Sequence, residues 1–318
     1  GGFLVTGGAS VMNVGLKVTG GITLSGGIIV GTSGIKVQGG GLTVEVSGAK
    51  VTGGFTVMDA GVKVSGGVTV TGGIVIGTTG VKIQLGGLSV NAAGVSATGG
   101  MSSNDLGLTV TGGATITGGI VVGTGGVKIQ QGGVTVTAGG IAVTGGLTAM
   151  SGGLKVTGGS TVTGGIVVGT SGIKVQEGGV TVDIDGVKIF GGASLMDAGL
   201  KVTGGATVSE GLVVGTAGLK VMLGGLSVDA GGLFVTGGLS VGNNGLTVSG
   251  GVTVTGGIVV GTAGIEIEVG GLTVKAQGIS VSGGLSSMDA GLKVTGGVTV
   301  TDGIVVSTSG IKVVDGGV

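Results

Sequence analysis

A parallel, all-β solenoid is the fold class this sequence predicts, and three observations predict it. The string IVVGT or a near variant recurs every 46 residues, starting at Ile28, Ile74, Ile120, Ile166, Leu212, Ile258 and Ile304. Glycine, usually as a pair, punctuates the chain every six or seven residues. Between these points small apolar residues, many of them β-branched, alternate with Thr, Lys or Ser. Alternation of period two bounded by Gly is the pattern of short strands. A fixed period without insertion is the pattern of a repeat array.

The array divides into repeats 1–46, 47–92, 93–138, 139–184, 185–230, 231–276 and 277–318, a single domain with no linker. The repeat 139–184 reads GGIAVT, GGLTAMS, GGLKVT, GGSTVT, GGIVVGT, SGIKVQE, GGVTVDI, so each repeat holds seven segments and seven short strands. Strands of about four residues are too short to stand alone and must stack on neighbours. Helix is excluded, because each Gly costs about 1 kcal/mol relative to Ala. At the corners Gly permits either positive φ or close backbone approach. Val, Ile, Leu and Ala suit a thin, dry interior. The four aromatic residues, Phe3, Phe55, Phe190 and Phe234, read as local filling.

Composition excludes most chemistry. The chain has no His and no Cys, so the commonest general base, the thiol nucleophile and the usual zinc ligands are missing. It has no Arg, and its 14 Lys balance 14 Asp and Glu, which leaves no electrostatic drive toward nucleic acid. Without Cys there is no disulfide framework. Collagen needs Gly at every third position with abundant Pro, and Pro is absent. Disorder needs low hydropathy and high net charge, whereas mean hydropathy is +0.79 and net charge is zero. No run of about 20 apolar residues exists to span a membrane as a helix, and no signal-peptide pattern opens the chain. Its start at Gly1-Gly2 reads as a processed product or a piece of something longer. The expectation is a protein that is not an enzyme, with no cofactor, no metal, no small-molecule substrate, no nucleic-acid partner and no membrane span.

Three architectures fit the cadence. In the first, one 46-residue repeat is one solenoid turn, folded flat or irregular, and residues 46 apart are axial neighbours. In the second, three segments make a triangular turn of about 20 residues. In the third, three chains wrap into a triple-stranded β-helix trimer. The middle residue of the fifth segment, Ile29, Val75, Val121, Val167, Val213, Val259 and Val305, makes that segment apolar on both sides. Strands of this kind are usually buried on both faces. The reading therefore favours the one-repeat turn, then the trimer, with the fifth segment as core or assembly strand. The triangular turn ranks last, because it exposes this residue in a spiral. Against the one-repeat turn stands the column Lys36, Lys82, Lys128, Lys174 and Lys220, which it would stack one layer apart.

Several motifs have competing readings. The corner column Asn13, Asp59, Asp105, Ser151, Asp197, Asn243 and Asp289 reads as turn residues bonding their own backbone, ahead of a weak cation site. Beside it, Met12, Met58, Met150, Met196 and Met288 read as flexible gap fillers, ahead of a binding surface. The fourth segment carries hydroxyl pairs at Thr23/Ser25, Thr69/Thr71, Thr115/Thr117, Thr161/Thr163, Thr207/Ser209, Thr253/Thr255 and Thr299/Thr301. β-propensity and solubility explain them first. As columns on a flat solenoid they also resemble the ice-binding faces of β-solenoid antifreeze proteins.

Over its whole length the GGxTVT cadence resembles the Gly-rich β-solenoid and triple β-helix shafts of surface adhesins, extracellular filaments and viral or phage fibres. That resemblance implies a structural role outside the cell or on a cell or virion surface, with self-association into a filament or fibre. It carries no catalytic residues. The alternative function is ice binding through the Thr columns.

Overall fold

The computed structural model describes residues 2–77, 79–197, 199–287 and 289–318. Among them every regular element is a three-residue strand, from Phe3–Val5 to Ile311–Val313, and none is a helix. The chain forms two compact units, Gly1–Gly158 and Gly159–Val318.

In unit 1 each strand pairs in parallel with the strand three places further along the chain. Phe3–Val5 pairs with Ile22–Leu24, Ala9–Val11 with Ile28–Val30, and Leu16–Val18 with Ile35–Val37. Three strands therefore close one coil. Successive coils are 19 to 21 residues apart, as in Phe3 to Ile22, Ile22 to Leu42 and Ile28 to Ala49. The first sheet of unit 1 runs from Phe3–Val5 to Ile141–Val143, the second from Ala9–Val11 to Leu147–Ala149, and the third from Leu16–Val18 to Leu154–Val156. Unit 2 is built in the same way. Its sheets run from Ser160–Val162 to Val298–Val300, from Ile166–Val168 to Ile304–Val306, and from Ile173–Val175 to Ile311–Val313.

The register does not slip: strand centre faces strand centre, as in Lys63 opposite Thr43 and Lys82. First and third residues of a strand point inward, and the centre points out. Leu24, Val30, Leu42 and Val57 in unit 1, and Val168, Val202, Leu212 and Val235 in unit 2, are fully buried. Each such side chain contributes about 1.5–3 kcal/mol of burial, which offsets the entropy of ordering so much Gly.

The fold class of the parallel solenoid stands, but its structural repeat differs in number and size: the turn is a coil of three strands and 19 to 21 residues, not one 46-residue repeat. Val121 lies between Ser102 and Ala142 in its sheet, and Val75 lies between Thr56 and Ser96 in another. Residues 46 apart are therefore not axial neighbours, and the expected Val75, Val121 and Val167 column does not form. The trimer alternative fails too, because in each unit the one chain supplies all three sheets. The physical reason is interior volume. Three strands, each with two inward aliphatic side chains, enclose a cross-section that Val, Ile and Leu can fill. A seven-strand ring would leave a void.

Seven segments to a repeat and three strands to a coil make each repeat two and one third coils. Each repeat thus starts one face further round. Along any sheet the segments appear in the order first, fourth, seventh, third, sixth, second, fifth. The outward centres of the first sheet of unit 1 are Leu4, Thr23, Thr43, Lys63, Lys82, Ser102, Val121 and Ala142. Precession is tolerated because inward positions are interchangeable aliphatics, so like segments have no need to stack.

Candidate functional surfaces

The fifth segment sits on the surface. Ile29 is 50% exposed, Val121 53% and Val259 53%, and Val75, Val167, Val213 and Val305 are likewise exposed. Their flanking residues, such as Val122 and Val168, point inward and are buried. Of the two readings of this segment, a core strand covered by its own chain does not hold, and an assembly strand covered by a neighbouring chain is left. In unit 1 Ile29, Val75 and Val121 lie on the second, third and first sheets in turn, the spiral that the triangular turn imposes.

The hydroxyl pairs precess likewise. In unit 1 Thr23, Thr69 and Thr115 occupy three different sheets, and in unit 2 so do Thr161, Thr207 and Thr253, with Thr299 returning to the first. The second members Thr71, Thr117, Thr163, Thr255 and Thr301 follow the strand ends at the corners. What does recur on each face is a two-coil step, because the fourth segment stacks on the seventh: Thr23 on Thr43, Thr115 on Thr135, Thr161 on Thr181 and Thr253 on Thr273. The lysines behave similarly. The sixth-segment lysines are parted onto different faces, but the third segment stacks on the sixth and gives Lys17 beside Lys36, Lys63 beside Lys82, Lys201 beside Lys220 and Lys293 beside Lys312. The cost of each exposed pair is only about 1 kcal/mol, and the long side chains diverge into water.

The IVVGT string has a structural explanation that the sequence did not reveal. Its Thr donates to the backbone carbonyl of the corner residue one coil earlier: Thr32 to Asn13 at 3.4 Å and Thr216 to Asp197 at 2.6 Å. Thr124 bonds the carbonyl of Asp105, Thr262 that of Asn243, and Thr308 that of Asp289 in the same way. The column of Asn and Asp thus serves through its main chain. The Gly of the string sits against that same corner. A Cβ built on Gly77 would come within 1.5 Å of the Met58 carbonyl oxygen, and one on Gly215 within 1.5 Å of that of Met196. Close approach, and not positive φ, demands Gly here. Thr78 and Met288 lie outside the described residues.

Met12, Met58, Met150 and Met196 are exposed at corners and fill no gap in the core. Of the four Phe, only Phe55 is buried; Phe3 is exposed at an inward position of the first coil, Phe190 at a corner and Phe234 at an outward strand centre. Lys188 lies over the Phe190 ring at 4.9 Å. Three serines occupy inward positions. Ser103 donates to the Leu106 carbonyl at 2.6 Å and Ser287 to that of Gly291 at 3.4 Å, while the Ser160 hydroxyl has no partner.

Charge is segregated by position in the coil. All lysines except Lys275 stand at strand centres on the flat faces, and all carboxylates except Glu266 stand at corners. Every one of these side chains is exposed. Among the described residues no three of the metal-ligating types gather. No helix among them is long and apolar enough to cross a membrane.

No protein-family model, no curated protein and no solved structure matches this chain.

Proposed function

We propose that this protein is a structural repeat protein whose stacked β-coils serve as the shaft of an extracellular filament, fibre or adhesin. The supporting observation is that in each unit strands bond only to strands of the coils before and after, in unbroken register. Such a ladder resists extension along the stack and leaves the outer faces free for packing. In each unit, the strands of one sheet span about 34 Å at 4.8 Å per coil. On this reading the protein is not an enzyme. The outward strand centres are mostly Thr, Ser, Lys and Val on flat faces, the chain has no His or Cys, and among the described residues no acid–base pair is set in an enclosed cleft. Self-association is part of the proposal. Negative-stain electron microscopy of the purified chain tests it: filaments or regular bundles are expected, and a strictly monomeric species at high concentration would remove the reading. Ice binding is not favoured, since the Thr pairs turn from face to face instead of forming one flat lattice.

A further inference from the structure

The two units carry opposite charge. Unit 1 holds seven lysines, Lys17, Lys36, Lys50, Lys63, Lys82, Lys128 and Lys155, against three carboxylates, Glu45, Asp59 and Asp105, a balance of +4. Unit 2 also holds seven lysines but eleven carboxylates, a balance of −4. The neutral total of the chain hides this division. The coil geometry makes the charge available, because corner carboxylates ride on the edges and lysines stand on the faces, all in solvent.

We infer that unit 1 of one copy docks against unit 2 of a second copy, with lysine-bearing sheet faces meeting carboxylate-bearing corners. The inference rests on the self-associating reading above and names the surfaces that carry it. Charge complementarity selects this pairing. Two copies of unit 1 repel, as do two copies of unit 2, whereas unlike units attract. Lysine at strand centres also keeps like faces from closing flat on one another. In unit 2 the second-sheet corners supply Glu210, Asp229, Glu268 and Asp289, with no lysine among those corners. In unit 1 the first sheet presents Lys63 and Lys82 side by side, and no acidic residue occupies an outward strand centre of that sheet. An anionic polymer would fit unit 1 alone and leave the carboxylate excess of unit 2 without a role. A second copy uses both.

The test uses the full chain. Sedimentation velocity at about 10 mM and about 1 M NaCl spans screening lengths of about 30 Å and 3 Å. Large species at low salt that dissociate at high salt are expected. Two triple variants then probe the pairing. Lys17→Glu, Lys63→Glu and Lys128→Glu invert unit 1, and Asp183→Lys, Glu210→Lys and Asp229→Lys invert unit 2. All six sites are exposed, and circular dichroism verifies that each variant is folded. Each variant alone is expected to lose association, and an equimolar mixture of the two is expected to regain it. Association of each folded variant alone at wild-type strength would overturn the inference, and so would folded variants that fail to associate when mixed. A wild-type chain that associates equally at both salt concentrations also overturns it while leaving the structural reading intact. A wild-type chain monomeric at every salt concentration removes both.

Discussion

Units 1 and 2 share the coil, the strand length and the 46-residue repeat, yet one carries a balance of +4 and the other −4. The difference teaches that interior and exterior of this fold are specified independently. Inward positions accept any small aliphatic residue, so they are nearly the same in both units. Outward centres are exposed or half-buried, and the corner positions that carry the carboxylates are exposed, so their charge is free to diverge. Neighbouring residues in one strand should therefore differ sharply in what they tolerate.

The largest expected effect comes from moving charge one residue along a strand. Val168→Lys in unit 2, or Val122→Lys in unit 1, places an unpaired ammonium in the dry interior. A loss of at least about 4 kcal/mol is expected, enough to unfold a coil. Val167→Lys and Val121→Lys, at exposed centres, should change stability by less than about 0.5 kcal/mol. Denaturant melts of the four variants provide the check, and equal losses at 167 and 168 would refute the assignment of faces.

Next in size is the corner. Gly77→Ala in unit 1 and Gly215→Ala in unit 2 each drive a methyl group into a backbone carbonyl of the previous coil. A loss of about 2–4 kcal/mol is expected for each. Thermal denaturation measures it, and a neutral result would show that the corners yield to a methyl group.

Smaller effects separate the buried serines. Ser160→Ala in unit 2 removes a hydroxyl without a partner and should stabilise by about 1 kcal/mol. Ser103→Ala in unit 1 strips the Leu106 carbonyl of its donor and should destabilise by about 1 kcal/mol. Opposite signs in urea titrations are the expected signature. The smallest effect is Thr216→Val, which removes the exposed bond to the Asp197 carbonyl and should cost about 0.5–1 kcal/mol in the same titration.

Much of the fold was legible in the residues. Gly punctuation marks the corners, alternation marks the short strands, and the alternating apolar residues mark the core. The face of each segment was not legible. Val121 looked like a core residue because its whole strand is apolar, and only closure of the coil after three strands turns its centre outward. The Thr columns looked like one surface for the same reason. The segregation of lysines from carboxylates could have been read from position within each segment, and the opposite unit charges from counting the two halves separately.

The amino-acid sequence by itself determined that this chain is a β-repeat with Gly corners, an aliphatic interior and no helix. Those properties follow from local chemistry: period-two alternation, the cost of Gly in a helix, and side chains too small to fill a wide core. Tertiary structure alone decided how many strands make a coil, and hence which repeats share a face. That number depends on closing a cross-section that two small side chains per strand can fill, a volume condition on the whole coil that no single segment carries.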